Sequence, residues 1–291
     1  MLSQSLQYVF AGLTVGAIYA LIGVGFSIIY NARQMINFAQ GEFVMIGGMA
    51  TAFLLGVGMP LILAIGIALV IAVVVGALIE RFGVETARNA SVITLIIITL
   101  GASILLRGVA QLVWGREFHS LPAFSGTQPI SVLGATVLPQ TLWVLGITVL
   151  VVLALNHFFG RTLFGKAMRA TSYNHMAARL VGINIRFVYL LNFALAALLG
   201  ALAGVLSAPI TLTSFEVGIM LGLKGFAAAI LGGLGNPLGA VAGGLIVGLV
   251  EGLTAGYLSS AYKDAVAFVI VLGVLFFLPG GLFGRPARES L

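Results

Sequence analysis

Met35-Ile36-Asn37-Phe38-Ala39-Gln40-Gly41-Glu42-Phe43 is a short polar interruption between two apolar runs in a chain that is otherwise oily. Non-helical backbone is tolerated at membrane depth only where protein covers it or water reaches it. A break carrying Asn37, Gln40 and the Glu42 carboxylate therefore reads as part of a path lining, because an ionisable group inside a membrane needs a partner or a task. The same residues in a loop at the membrane surface would simply be solvated, and that is the competing reading.

Composition sets the class. Of 291 residues, 60% are hydrophobic and only 8% charged, and the mean hydropathy is +1.18. A soluble domain with that balance would expose large apolar areas, so the chain reads as an all-α integral membrane protein. Thirty-nine glycines allow close helix contacts, and the lack of cysteine excludes disulfides and thiolate metal sites. The formal charge of +6 lies in a few short loops beside apolar runs. That is a topology signal and not a nucleic-acid footprint. Residues 1–7 carry no Lys or Arg, and the apolar run continues to about Tyr30, too long for a signal-peptide core. It reads as a retained first helix.

A spanning helix needs about 20 apolar residues. Runs of that order are Leu6–Tyr30, Phe43–Gly56, Leu61–Ile79, Val92–Val113, Thr141–Phe159, Phe187–Leu206, Val217–Leu234, Leu238–Ala255 and Ala265–Leu278, nine in all. Phe43–Gly56 is short, and Val217–Leu234 is interrupted by Lys224 and glycines, so eight spans with a re-entrant segment is the alternative count. Arg161, Lys166, Arg169, Arg179 and Arg186 crowd one loop, 161–186, without a carboxylate, which places it in the cytoplasm. Counting outward puts Arg81, Arg88, Arg285 and Arg288 on the same side, with the N-terminus and the loop 114–140 outside. Trp114, Trp143, Tyr257 and Tyr262 stand where an interfacial aromatic belt belongs. Within the outer loop, Ile130–Val137 has β-branched residues on both sides of Gly134 and fits a small hairpin, either a docking surface or a tether.

In the cytoplasmic loop a short helix is expected from Asn174 as its cap, through Met176, Ala177, Leu180 and Val181, to Gly182 as its stop. Such a helix binds a partner or lies on the anionic leaflet. Farther on, Gly222 to Gly239 forms a second interrupted apolar region containing Lys224, Asn236 and Pro237. Paired interruptions in the two parts of a chain point to a transporter of two related halves, although glycine-rich packing alone gives a similar pattern.

Catalytic chemistry does not emerge. Gly160-Arg161-Thr162-Leu163-Phe164-Gly165-Lys166 has phosphate-loop spacing, but Ala167 stands where a hydroxyl should reach magnesium. His119, His157 and His175 lack metal-site spacing. Energy would come from a partner or from an ion gradient. Among embedded charges, Glu42 and Lys224 keep weight because each sits at an interruption, whereas Arg107, about two helical turns from Trp114, can snorkel outward, and Glu216 and Glu251 lie near expected outer ends.

Several stretches together resemble the permease subunits of branched-chain amino acid ABC importers, over about Leu13 to Gly281. They are Gly25-Phe26-Ser27-Ile28-Ile29-Tyr30 with Ile36 to Phe43, Gly165 to Ala170 with Ala177 to Asn184, and Gly225 to Gly239. Gln40 departs from a frequent histidine, and His175-Met176 from a frequent acidic residue before the double alanine. The resemblance implies a single permease domain in a bacterial or archaeal inner membrane, working with a second permease, two cytoplasmic ATPase subunits and an extracytoplasmic binding protein. It implies a translocation path at Asn37, Gln40, Gly41, Glu42 and Lys224. It also implies an ATPase contact at Arg169, Asn174, Ala177, Ala178, Arg179, Leu180 and Gly182, with no cofactor, metal or nucleic acid. An ion-coupled secondary transporter with Glu42 as the ion site, and a membrane scaffold without transport, are the rival readings.

Overall fold

The computed structural model describes residues 2–87, 90–132 and 134–284. Arg88, Arg285 and Arg288, used above for orientation, and Leu133 of the hairpin lie outside the described residues. Among the described residues the regular structure is helical, apart from one small sheet. Its helices are α1 (Leu2–Arg33), α2 (Gln40–Gly56), α3 (Leu61–Leu78), α4 (Val92–Trp114), α5 (Pro139–Arg161), α6 (Leu163–Tyr173), α7 (His175–Leu180), α8 (Ile185–Thr211), α9 (Val217–Gly232), α10 (Pro237–Tyr257) and α11 (Lys263–Phe277). α3 continues into six residues of π-helix, Ile79–Val84. The expected hairpin is present as β1 (Ile130–Val132) and β2 (Ala135–Val137), paired antiparallel with Ser131 opposite Thr136.

Each of the nine apolar runs forms a helix, and among the described residues six helices are long and apolar enough to cross a membrane by length and composition. α2, α9 and α11 have 17, 16 and 15 residues. For α2 the reason is its surroundings. Every residue from Gln40 to Thr51 is buried, and a helix apolar on all sides that is wrapped by protein has no lipid thickness to match.

The contacts fix helix directions. α1 begins beside the hairpin, where Ser3 Oγ donates to Gly134 O at 2.8 Å, and ends at the opposite, basic end of the molecule. α8 runs against α1, since Arg33 lies over the Tyr189 ring at 3.8 Å while a Cβ on Gly25 would lie 3.3 Å from Ala196 O. α2 runs with α8, its Gln40 level with Gly200 and its Val44 level with Gly204. α9 runs with α1, Gly225 beside Ile22 and Gly235 beside Asn31. The two segments α1–α2 and α8–α9 thus follow one plan in opposite directions: a long helix, a short irregular return, then a half-length helix.

The buried centre is α1, α2, α8, α9 and α10, joined by small residues. Gly12 and Gly16 of α1 meet Gly244 and Gly248 of α10, where a Cβ on Gly16 would lie 2.8 Å from Gly244 O. Such spacing lets backbones touch, and dispersion then replaces the hydrophobic drive that lipid cannot provide. α3, α4, α5 and α11 form the periphery and expose Ile62, Ile104, Leu112, Leu150 and Phe276.

Candidate translocation site

The sequence Asn37-Phe38-Ala39-Gln40 cannot continue α1, because the chain turns at Gln34 with a φ of 53° and folds back into the interior. Asn37 Oδ1 accepts from Ala39 N at 3.1 Å, and Phe38 N donates to Thr99 Oγ1 of α4 at 3.2 Å. Gln40 Nε2 donates to Ala196 O of α8 at 2.9 Å. α2 therefore starts near the midpoint of α8 and not at a membrane surface. On the other side, α8 ends at Thr211, and Thr213 exchanges two backbone hydrogen bonds with His119 of the hairpin loop, at 2.9 and 2.8 Å. α9 then begins beside α2. A Cβ on Gly218 would lie 2.5 Å from Gly41 O, and one on Gly222 would lie 3.0 Å from Gly41 Cα. Two helix N-termini, each with unsatisfied N–H groups and a partial positive charge, so meet deep in the protein.

Glu42 occupies that meeting point. Its Oε1 accepts from Ser103 Oγ at 2.7 Å and lies 3.3 Å from Arg107 Nε, both on α4. Its Oε2 faces Gly218 and has no hydrogen-bond partner among the described residues. Asn37 Nδ2 and Gln40 Oε1 are likewise buried without partners. Asn37 and Gln40 are fully buried and Glu42 is 2% exposed. In this conformation the break is packed protein with residual hydrogen-bonding capacity, not an open channel wall.

Lys224 is not brought to Glu42. Its ammonium lies 2.9 Å from Glu251 Oε1 and 2.7 Å from Asp264 Oδ1, and it donates to Tyr19 OH at 3.0 Å. Tyr19 OH donates in turn to Glu251 Oε2 at 2.8 Å, so the cluster ties α1, α9, α10 and α11 together.

At the basic end, Thr162 Oγ1 accepts from Gly165 N at 3.0 Å, which makes the Gly160–Lys166 stretch the corner between α5 and α6. Asn174 caps α7 by accepting from Ala177 N at 3.0 Å, and Gly182 ends the turn at a φ of 85°. Ala178 is 2% exposed and packs inward. Arg169, Ala177, Arg179 and Leu180 are exposed, and so are Met176 and Val181. Beneath α7, Arg33 pairs with Glu80 and with Glu85, the latter at 2.8 Å, while Arg186 reaches Glu85 at 3.1 Å. Tyr189 OH lies 3.3 Å from His175 Nδ1. Burial, helped by the nearby Arg33 charge, holds the His175 imidazole below its ordinary range.

Sequence reasoning set Arg107 and Glu251 aside as near helix ends, whereas the structure pairs Arg107 with Glu42 and buries Glu251 against Lys224, and it missed the other partners. Thr99, Ser103 and Arg107 stand at i, i+4 and i+8 of α4, a polar stripe on one face that was legible in principle. Glu251, Asp264 and Tyr19 carry no such local signal, because they come from three separate helices.

A membrane protein built on paired half-length helices, with a braced carboxylate where they meet, is of the transporter class. The sequence profile described as "Branched-chain amino acid transport system / permease component" matches residues 8–275, and the chain belongs to that family. It is 37% identical, over 98% of its length and 97% of theirs, to the high-affinity branched-chain amino acid transport system permease protein LivH of Escherichia coli K12. Identity to the corresponding protein BraD of Pseudomonas aeruginosa is 32%, over 98% of both chains. Among solved structures, PsaBC from Streptococcus pneumoniae in complex with Fab aligns with a TM-score of 0.49 at 15% identity, covering 100% of this chain and 95% of that one.

Proposed function

We propose that this chain is the membrane-spanning permease subunit of an ATP-driven importer of branched-chain or related amino acids. The observation that carries the reading is the junction of α2 and α9 in a chain of this family, with Glu42 held between two helix N-termini. The break is a joint between oppositely directed halves, and a shift of one against the other would open the packed region around Asn37, Gln40, Gly41 and Glu42. Lys224 belongs to the same machinery as the clamp that holds α11 and α10 to α9. A second permease, two ATPase subunits and an extracytoplasmic binding protein complete the assembly.

The basic end is the cytoplasmic, ATPase-facing side. Leu163, Phe164, Tyr173, Met176, Leu180 and Val181 expose apolar surface there, beside Arg169 and Arg179. Apolar side chains grouped on a polar surface mark a docking patch. ATP binding by the partner would shift the inward–outward equilibrium through α6 and α7, and thence through Arg33 at the end of α1.

Reconstitution in liposomes tests the reading. The chain with its partner subunits and binding protein should import leucine only when ATP is present, and dissipating proton and sodium gradients should change nothing. Import by this chain alone, driven by an ion gradient, would replace the proposal with ion-coupled transport.

A further inference from the structure

The six residues that follow α3 are wound more loosely than an α-helix. Ile79–Val84 is π-helical, and Glu85 N donates to Glu80 O at 2.8 Å. In an α-helix, residues five apart point about 140° away from each other. The i→i+5 closure instead stacks Glu80 and Glu85 on one face, and both carboxylates reach the guanidinium of Arg33, the last residue of α1. The side chains of Arg33, Glu80 and Glu85 are 7%, 2% and 14% exposed, which puts this clamp inside the protein. Buried ion pairs add little net stability over apolar packing, and their best use is to fix a register or a switch. π turns are rare and gather at functional sites.

The clamp has a neighbour on each side. Toward the basic end, Arg33 lies over the Tyr189 ring at 3.8 Å, and Tyr189 OH lies 3.3 Å from Nδ1 of His175, the first residue of α7. Toward the interior, Val84 of the π turn shares a buried cluster with Ile29 of α1, with Met35 at the start of the break, and with Phe193 and Ala196 of α8. Ala196 O is the acceptor that holds Gln40. The turn also rests on α4, where a Cβ on Gly83 would lie 3.3 Å from Ile98 Cγ2. The next residue, Thr99, holds Phe38 N. One turn of helix thus touches the route to α7 and both anchors of the break.

Building on the transport reading, we infer that this π turn is the joint through which α7 controls the break, with Glu80 and Glu85 as positioning residues that act through Arg33. While the turn is π-helical, Arg33 is clamped, Met35 is buried and the break stays packed. Winding the turn to α-helical spacing carries Glu85 round the helix and away from Arg33. The end of α1 is then free, and Met35 can leave the cluster. A change of one hydrogen-bond register is small, but packed elements turn small shifts into discrete rearrangements.

The chain contains no cysteine, so a single reporter can be placed in it without a background. Met35→Cys would be made in the complete importer, in nanodiscs, with and without Glu85→Gln, which keeps the side-chain shape and removes one charge of the clamp. A membrane-impermeant maleimide should label the reporter slowly in the nucleotide-free parent and severalfold faster with ATP. In the Glu85→Gln background the fast rate should appear without ATP. Without the reporter, Glu85→Gln should raise ATP hydrolysis in the absence of binding protein severalfold, and lower the leucine imported per ATP in proteoliposomes by a similar factor. Glu85→Asp should return both values most of the way to the parent. Arg81→Gln, on the exposed side of the same turn, should leave them at the parent values. A clamp that only held the fold together would lower the melting temperature of Glu85→Gln complexes while the survivors kept the parent ratio of leucine to ATP. That result would overturn the joint and leave the transport reading intact. Reporter labelling that ignores Glu85→Gln would overturn the joint as well. A parent complex that imports no leucine with ATP would remove the transport reading, and the joint with it.

Discussion

Glu42 is held by Ser103 and Arg107 in a place that water does not reach. Removing Arg107 while keeping the carboxylate leaves a buried, partly uncompensated charge, which costs about 3 kcal/mol. Arg107→Ala should therefore lower the detergent melting temperature, and adding Glu42→Gln to it should restore much of the loss. A double variant no more stable than Arg107→Ala would show that the pair is not coupled. Glu42→Gln alone keeps the Ser103 bond and the shape of the site. It is expected to remain folded while uptake falls, because the carboxylate at the α2–α9 junction is then gone. Normal uptake by Glu42→Gln in a fully assembled complex would favour a purely structural role.

At the scale of the element, α7 shows how far a residue list differs from a surface. Ala178 lies inside and Leu180, at 83% exposure, lies outside. Leu180→Asp should leave the permease as stable as before and release its ATPase in a pull-down. Ala178→Asp should instead destabilise the permease itself, by several kcal/mol in order of magnitude, since a carboxylate is forced into packed carbon. Equal ATPase binding by Leu180→Asp and the parent would move the contact elsewhere. His175 adds a pH dependence. Its depressed pKa means that the folded state disfavours the protonated ring, so docking of α7 on Tyr189 is fully stable above the ordinary histidine range near 6.5 and weakens as pH falls through the lowered value. The protection factors of 175–181, exchange rates corrected for the intrinsic pH dependence of amide exchange, should fall between about pH 7 and pH 5, and His175→Gln should flatten that change.

Over the whole molecule, the two oppositely directed units put the start of α1 and the hairpin at one end and α6 and α7 at the other. Cysteines placed at Ser3 and at Gly126 should react with an impermeant reagent from outside intact cells, and one at Lys166 only from inside. A Lys166 site labelled from outside would invert the assignment. The nine apolar runs, the hairpin and the capped α7 were legible in the sequence, because length, periodicity and capping are local. The depth of Glu42 was not. Nothing in a nine-residue stretch says whether a polar break meets water or another helix.

Although α6 and the start of α2 at Gln40 were not read, composition and short-range pattern thus determined by themselves that the chain is a helical membrane protein, roughly where its nine apolar helices and the capped α7 run, and which family it resembles. These follow from transfer of backbone and side chains into lipid, which each segment undergoes almost independently. Only the tertiary structure decided that Glu42 answers to Ser103 and Arg107 while Lys224 answers to Tyr19, Glu251 and Asp264. It alone decided that α2 and α9 meet at Gly41, Gly218 and Gly222. Those pairings depend on which helix faces are small enough to touch, and on buried charges finding partners far away in sequence. Both are properties of packing between helices, and no single helix contains them.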